Sequence, residues 1–111
     1  MRKILFAGLV LLFSFTACKK DNLVDMVVEV SCVPAGFVVE YTYGEQRVEK
    51  TIHDDVFVGG AFVPEGMQVT ALAQALSTEA HIVMIIYKDG KPVARSEDSG
   101  DYCIASCKVE M

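Results

Sequence analysis

The 111-residue chain has no tryptophan, two histidines, three prolines and only 10 Lys+Arg against 15 Asp+Glu. The acidic balance, −5 over the whole chain, argues against nucleic acid, whose binding rests on neutralising phosphates with Lys and Arg. The two histidines, His53 and His81, lack Cys-x-x-Cys or His-x-x-x-His spacing, so no metal and no cofactor is expected. Gly59-Gly60 is followed by no helix and no lysine, which removes a phosphate cradle. Ser77, Ser96, Ser99 and Ser106 lack a Gly-x-Ser-x-Gly elbow, and no other catalytic constellation stands out. The chain has no internal repeat and no low-complexity segment. It does not read as an enzyme.

What is present begins at the N-terminus. Two cations, Arg2 and Lys3, precede an apolar run from Ile4 to Phe15, closed by Thr16-Ala17. That is the composition of a secretory signal peptide. The run falls short of the roughly 20 residues that span a bilayer, and Lys19-Lys20 stops its extension. Phe15-Thr16-Ala17-Cys18 resembles the lipobox of bacterial lipoproteins, although Phe15 replaces the usual aliphatic residue. The resemblance implies cleavage before Cys18, acylation of Cys18 and a bacterial outer-membrane lipoprotein. Lys19-Lys20-Asp21 further resembles a surface-export signal of some Gram-negative lipoproteins. The expected organisation is a signal peptide over 1–17, a lipidated cysteine and tether over 18–23, and one domain over 24–111. The mature chain keeps eight cations against 15 acids, a charge of −7, which disfavours a body lying on anionic lipid.

From Val24 onward the pattern alternates with period two. Val24, Met26, Val28, Val30 and Cys32 share one face of a first strand, and Phe37, Val39, Tyr41 and Tyr43 one face of a second. Gly44-Glu45-Gln46 reads as a hairpin turn leading to a polar edge strand over Arg47–Ile52. His53-Asp54-Asp55 reads as a loop. The Gly59-Gly60 pair within Val56–Val63 predicts a bulge or a close backbone approach. Val69, Ala71, Ala73 and Ala75 favour a strand over a helix, despite their alanine. His81 to Tyr87 is apolar enough to predict a central strand buried on both sides. Asp89-Gly90 suits a type I′ hairpin, whose central residues need positive φ. Glu97 to Asp101 reads as an acidic turn before a last strand over Tyr102–Val109. The sum is an all-β, immunoglobulin-like antiparallel sandwich of seven or eight strands.

A family resemblance rests on three runs: Ala73-Gln74, Ile82 through Lys91, and Ser99-Gly100-Asp101-Tyr102. With Val38 to Tyr43 and Gly44 upstream, they resemble the small MmpS-type accessory proteins across most of residues 24–109. The resemblance implies an extracytoplasmic immunoglobulin-like sandwich that accompanies an envelope transporter of the RND class. Two positions depart from the family's pattern. Phe57 stands where a tryptophan is common, and Met84 lies where a cysteine often pairs with one near the C-terminus.

Three cysteines follow Cys18 in an oxidising context. Cys103 and Cys107, four apart in an extended strand, would lie about 13 Å apart, beyond disulfide reach. Cys32 is therefore the expected partner of Cys107, or alternatively of Cys103, since first and last strands of such sandwiches often run side by side. Glu97, Asp98 and Asp101 supply too few oxygens for calcium. Tyr41, Tyr43 and Tyr87 are the candidate ligand or partner surface if they share an outer face, and core packing with rim hydroxyls otherwise. The expected function is a lipid-anchored, non-catalytic extracytoplasmic binding or accessory domain that works with an envelope transporter or another envelope protein. The alternative is a surface-exposed adhesin or glycan-binding lipoprotein.

Overall fold

The computed structural model describes residues 22–111; the expected signal peptide, Cys18 and most of the tether lie outside them. Eight strands follow in chain order: β1 Leu23–Val33, β2 Phe37–Tyr43, β3 Gln46–Ile52, β4 Val56–Pro64, β5 Gln68–Ala75, β6 Ala80–Lys88, β7 Lys91–Gly100 and β8 Ile104–Glu110. They make two four-stranded sheets, β4-β1-β6-β7 and β3-β2-β5-β8. Every neighbouring pair is antiparallel. The domain is an all-β sandwich.

Alternation decides which residues enter the core. Val24, Met26, Val28, Val30 and Cys32 of β1 are buried, with Ile82, Met84 and Ile86 of β6 beside them. The second sheet answers with Phe37, Val39 and Tyr41 of β2, Val69, Ala71, Ala73 and Ala75 of β5, and Ala105 and Cys107 of β8. Each large apolar side chain so buried contributes about 1.5–3 kcal/mol. The alanine-rich face of β5 has a packing reason. β1 and β5, from opposite sheets, come within 8 Å between α-carbons, closer than the roughly 10 Å at which sheets ordinarily stack. Methyl groups leave that space, and the large residues of β1 and β6 use it. Helix propensity in β5 is overridden because β2 and β8 pair with it on either side.

Turns behave as their residues dictate. Asp89 and Gly90 sit at φ 51° and 84°, as the type I′ hairpin between β6 and β7 requires. The two glycines of β4 make a close approach and no bulge, for the β1–β4 register is unbroken from Leu23–Pro64 to Ser31–Val56. A methyl group on Gly60 would run into the Met26 carbonyl oxygen.

Four expectations need correction. Residues 97–100 are not a turn but the end of β7, held by pairing from Val83–Glu97 to Ala80–Gly100. The chain turns later, at Asp101-Tyr102, where Tyr102 has φ 53°. β6 is central, between β1 and β7, but it is buried on one face only; Val83, Ile85 and Tyr87 are half-buried on the outside. Cys32, Cys103 and Cys107 are three buried thiols rather than a Cys32–Cys107 or Cys32–Cys103 disulfide. The premise of that pairing fails as well, since β1 lies inside one sheet and β8 at the edge of the other. Finally, Tyr41, Tyr43 and Tyr87 do not share one outer face, because Tyr41 packs in the core, the other of the two readings open for them.

Candidate docking face

The two outer faces of the sandwich differ. Across β2, β5 and β8, the register aligns Glu40 with Leu72 and Ser106, and Thr42 with Thr70 and Lys108, a mostly polar surface. Across β4, β1 and β6 the aligned rows are Gly60–Val27–Tyr87, Val58–Glu29–Ile85 and Val56–Ser31–Val83. One side of that face is apolar, interrupted by a carboxylate and a hydroxyl. Tyr87 answers the carboxylate: its hydroxyl donates to Glu29 Oε1 at 2.8 Å. That bond, then burial and the charge of Glu29, raises the Tyr87 pKa above its usual value.

β7 adds the feature that shapes the face. Its register with β6 shifts between Ile86 and Tyr87: Ile86 faces Ala94, Tyr87 faces Pro92, and Val93 is the extra residue. Bulges re-aim side chains at sheet edges, and proline is tolerated there because an edge strand spares a ladder donor. The result is an open depression of about 420 Å³ lined by Ile85, Tyr87, Pro92, Val93, Ala94 and Arg95. Arg95 supplies a cation at the rim, its Nη1 donating to Glu97 Oε1 at 2.9 Å. Sequence reading missed Val93 and Arg95. The available signal was Pro92-Val93-Ala94, three residues out of phase with an alternating strand.

Of the three candidate tyrosines, Tyr87 alone belongs to this face. Tyr41 is 5% exposed and points into the core. Tyr43 stacks on it with ring centroids 6.2 Å apart, and Phe57 tilts against it at 6.3 Å. Burial, and next the neighbouring Tyr43, pushes the Tyr41 hydroxyl's pKa up.

The remaining polar residues have structural partners. His81 Nδ1 lies 2.7 Å from Ser99 Oγ, and His81 Nε2 lies 2.8 Å from Glu97 Oε2. This serine–histidine–carboxylate row has the members of a hydrolytic triad without its setting. It lies along the register of two strands on an open face, and the described residues contain no helix to supply an elbow or an oxyanion hole. Asp98 Oδ2 accepts from the Ile104 amide at 3.1 Å, and Asp101 Oδ1 accepts from the Glu79 amide at 2.9 Å. Of the acidic trio, Glu97 is engaged with His81 and Arg95, Asp98 with β8, and Asp101 with the turn before β6. Among the described residues no group of three or more His, Cys, Asp or Glu could hold a metal ion. His53 stays in the loop between β3 and β4, where the Asp55 carbonyl accepts from the Cys32 amide at 2.9 Å.

No protein family, curated protein or solved structure matches the chain.

Proposed function

We propose that this protein is a lipid-anchored, non-catalytic binding or accessory domain of the bacterial outer membrane, tethered through Cys18 and docking through the outer face of β6 and β7. The observation that carries the reading is the bulge-shaped apolar depression at Ile85, Tyr87, Pro92 and Val93, with a cation at its rim. Partner surfaces combine an apolar, aromatic centre with arginine and a polar surround. The MmpS-like runs, which include β6 from Ile82 to Lys88, support an envelope transporter or a comparable envelope complex as the partner. A glycan-binding surface lipoprotein would need Tyr41, Tyr43 and Tyr87 in one exposed row, and the burial of Tyr41 weighs against it.

Cells expressing the full chain with a photocrosslinking residue at Val93 provide the test. Reproducible capture of a transporter subunit is expected, and a Tyr87→Asp change should reduce it. Capture of bulk outer-membrane protein alone, together with tight binding on a glycan array, overturns the accessory role. Cys18→Ser should abolish fatty-acid labelling and release the chain from membranes; persistent labelling overturns the anchor.

A further inference from the structure

Two sheets have four edges, and three of these are blunted. β3 carries Arg47, Glu49 and Lys50, with Arg47 bridging Glu40 and Glu49. β7 carries Pro92, Arg95, Glu97 and Asp98. The edge of β8 is covered by its neighbour: the Ile104 and Ser106 amides donate to Asp98 Oδ2 and Ser96 Oγ, each at 3.1 Å. Charge, proline and side-chain cover are the devices by which sheets avoid pairing edge to edge. β4, Val-Phe-Val-Gly-Gly-Ala-Phe-Val-Pro, has no charge, no bulge, and proline only at its last residue.

The open edge can be read residue by residue. At the two ends of the β1–β4 ladder, the Cys32 amide donates to the Asp55 carbonyl and the Glu65 amide donates to the Asn22 carbonyl. Main-chain groups alternate sides along a strand. Residues 57, 59, 61 and 63 therefore turn their amides and carbonyls to β1, and Val56, Val58, Gly60 and Phe62 turn theirs outward. The same four residues lie on the apolar outer face, where Val58 is 61% and Phe62 71% exposed.

We infer that β4 pairs antiparallel with β4 of a second copy, about a two-fold axis at Gly59, so that two sandwiches share one continuous sheet. The strand is its own complement in that register. Val56 falls opposite Phe62 of the second copy, Phe57 opposite Ala61 and Val58 opposite Gly60, so each large side chain meets a smaller or well-matched one. Gly59 meets Gly59 at the axis, a pair without hydrogen bonds whose α-carbons approach to about 4.5 Å, which suits residues with no Cβ. All four outward residues then exchange both main-chain bonds. Shifting the axis to Gly60 would set Asp55 against Glu65 of the second copy, and like charges in opposition disfavour that register. A strand without charge, whose own antiparallel register sets large side chains against small ones, favours a copy of itself over a foreign segment.

The test places a photocrosslinking phenylalanine analogue at Phe62 of the full chain in cells. A covalent homodimer is expected, its crosslinked peptide mapping to Val56 and its neighbours in the second copy. The same probe at Lys50 in β3 should give none. Val58→Lys, with the Phe62 probe retained, should lower the dimer yield about tenfold or more. Val58→Thr, which keeps a neutral β-branched residue, should preserve the dimer and guards against simple misfolding of the lysine variant. Absence of a dimer from Phe62, adducts to an unrelated protein alone, or a dimer equally abundant in Val58→Lys and Val58→Thr overturns the proposal.

Discussion

Asp89 and Asp25 are joined twice: the Asp89 carboxylate accepts from the Asp25 amide at 2.9 Å, and the Asp89 amide donates to the Asp25 carbonyl at 2.9 Å. The pair fastens the β6–β7 hairpin turn to the start of β1, 64 residues away in sequence. Asp89 does this from a positive φ of 51°, a conformation that aspartate and asparagine tolerate better than most residues.

Asp89→Ala should cost about 1–2 kcal/mol, since it removes an acceptor and leaves a Cβ-bearing residue without local compensation at positive φ. Asp89→Asn should cost much less. Urea denaturation reads both, with the midpoint shifting and the slope unchanged. Equal losses for the two variants would contradict this account of Asp89.

Gly60→Ala should destabilise the domain by about 2 kcal/mol or more, because the new methyl meets main chain, the Met26 carbonyl, which has no rotamer to give. Gly59→Ala should cost less. Its methyl would lie 2.6 Å from the Phe57 ring and 2.9 Å from the Tyr41 hydroxyl, both side-chain atoms able to move. Thermal midpoints of the two variants decide the order, and a milder effect at Gly60 would contradict the packing described.

Alkaline pH should unfold the domain progressively. Burial raises the pKa of Cys107, and burial with the neighbouring Cys103 raises that of Cys32. Tyr41 and Tyr87 are raised as well. A group whose folded pKa lies above its unfolded value contributes stability that is whole below the unfolded value and lost as pH rises through the folded one. Unfolded thiols titrate near about 8.5 and tyrosines near about 10. These groups should leave stability unaffected from pH 7 to 8 and lower it above about pH 9. Cys32 and Cys107 should resist alkylation at pH 8 until the chain is unfolded. A urea midpoint that rises above pH 9, or rapid labelling of the native thiols, would contradict this account.

Much of the fold was legible because a strand's two faces are written in its own residues. Val24 through Cys32 face inward by alternation alone, as do Val69 through Ala75. The Asp89-Gly90 turn was equally local, since positive φ is a property of two residues. The candidate site was much less so. Tyr41 and Tyr87 both sit in alternating strands, yet one points into the core and the other lies on the outside of the opposite sheet. Period two assigns a residue to a face of its strand; it does not say which sheet the strand joins or which strand lies beside it.

The sequence by itself therefore determined the extended backbone, the turns, the inward set of side chains and the acidic charge. The tertiary structure alone decided neighbours. It put β1 and β8 in different sheets rather than side by side, and it drew Glu97 and Asp98 into β7 by pairing them with β6. It also left β4 at an edge with four uncharged residues turned outward. The physical reason is range. Dihedral preference and alternation act over a few residues, whereas strand order is settled by main-chain hydrogen bonds and packing between segments tens of residues apart.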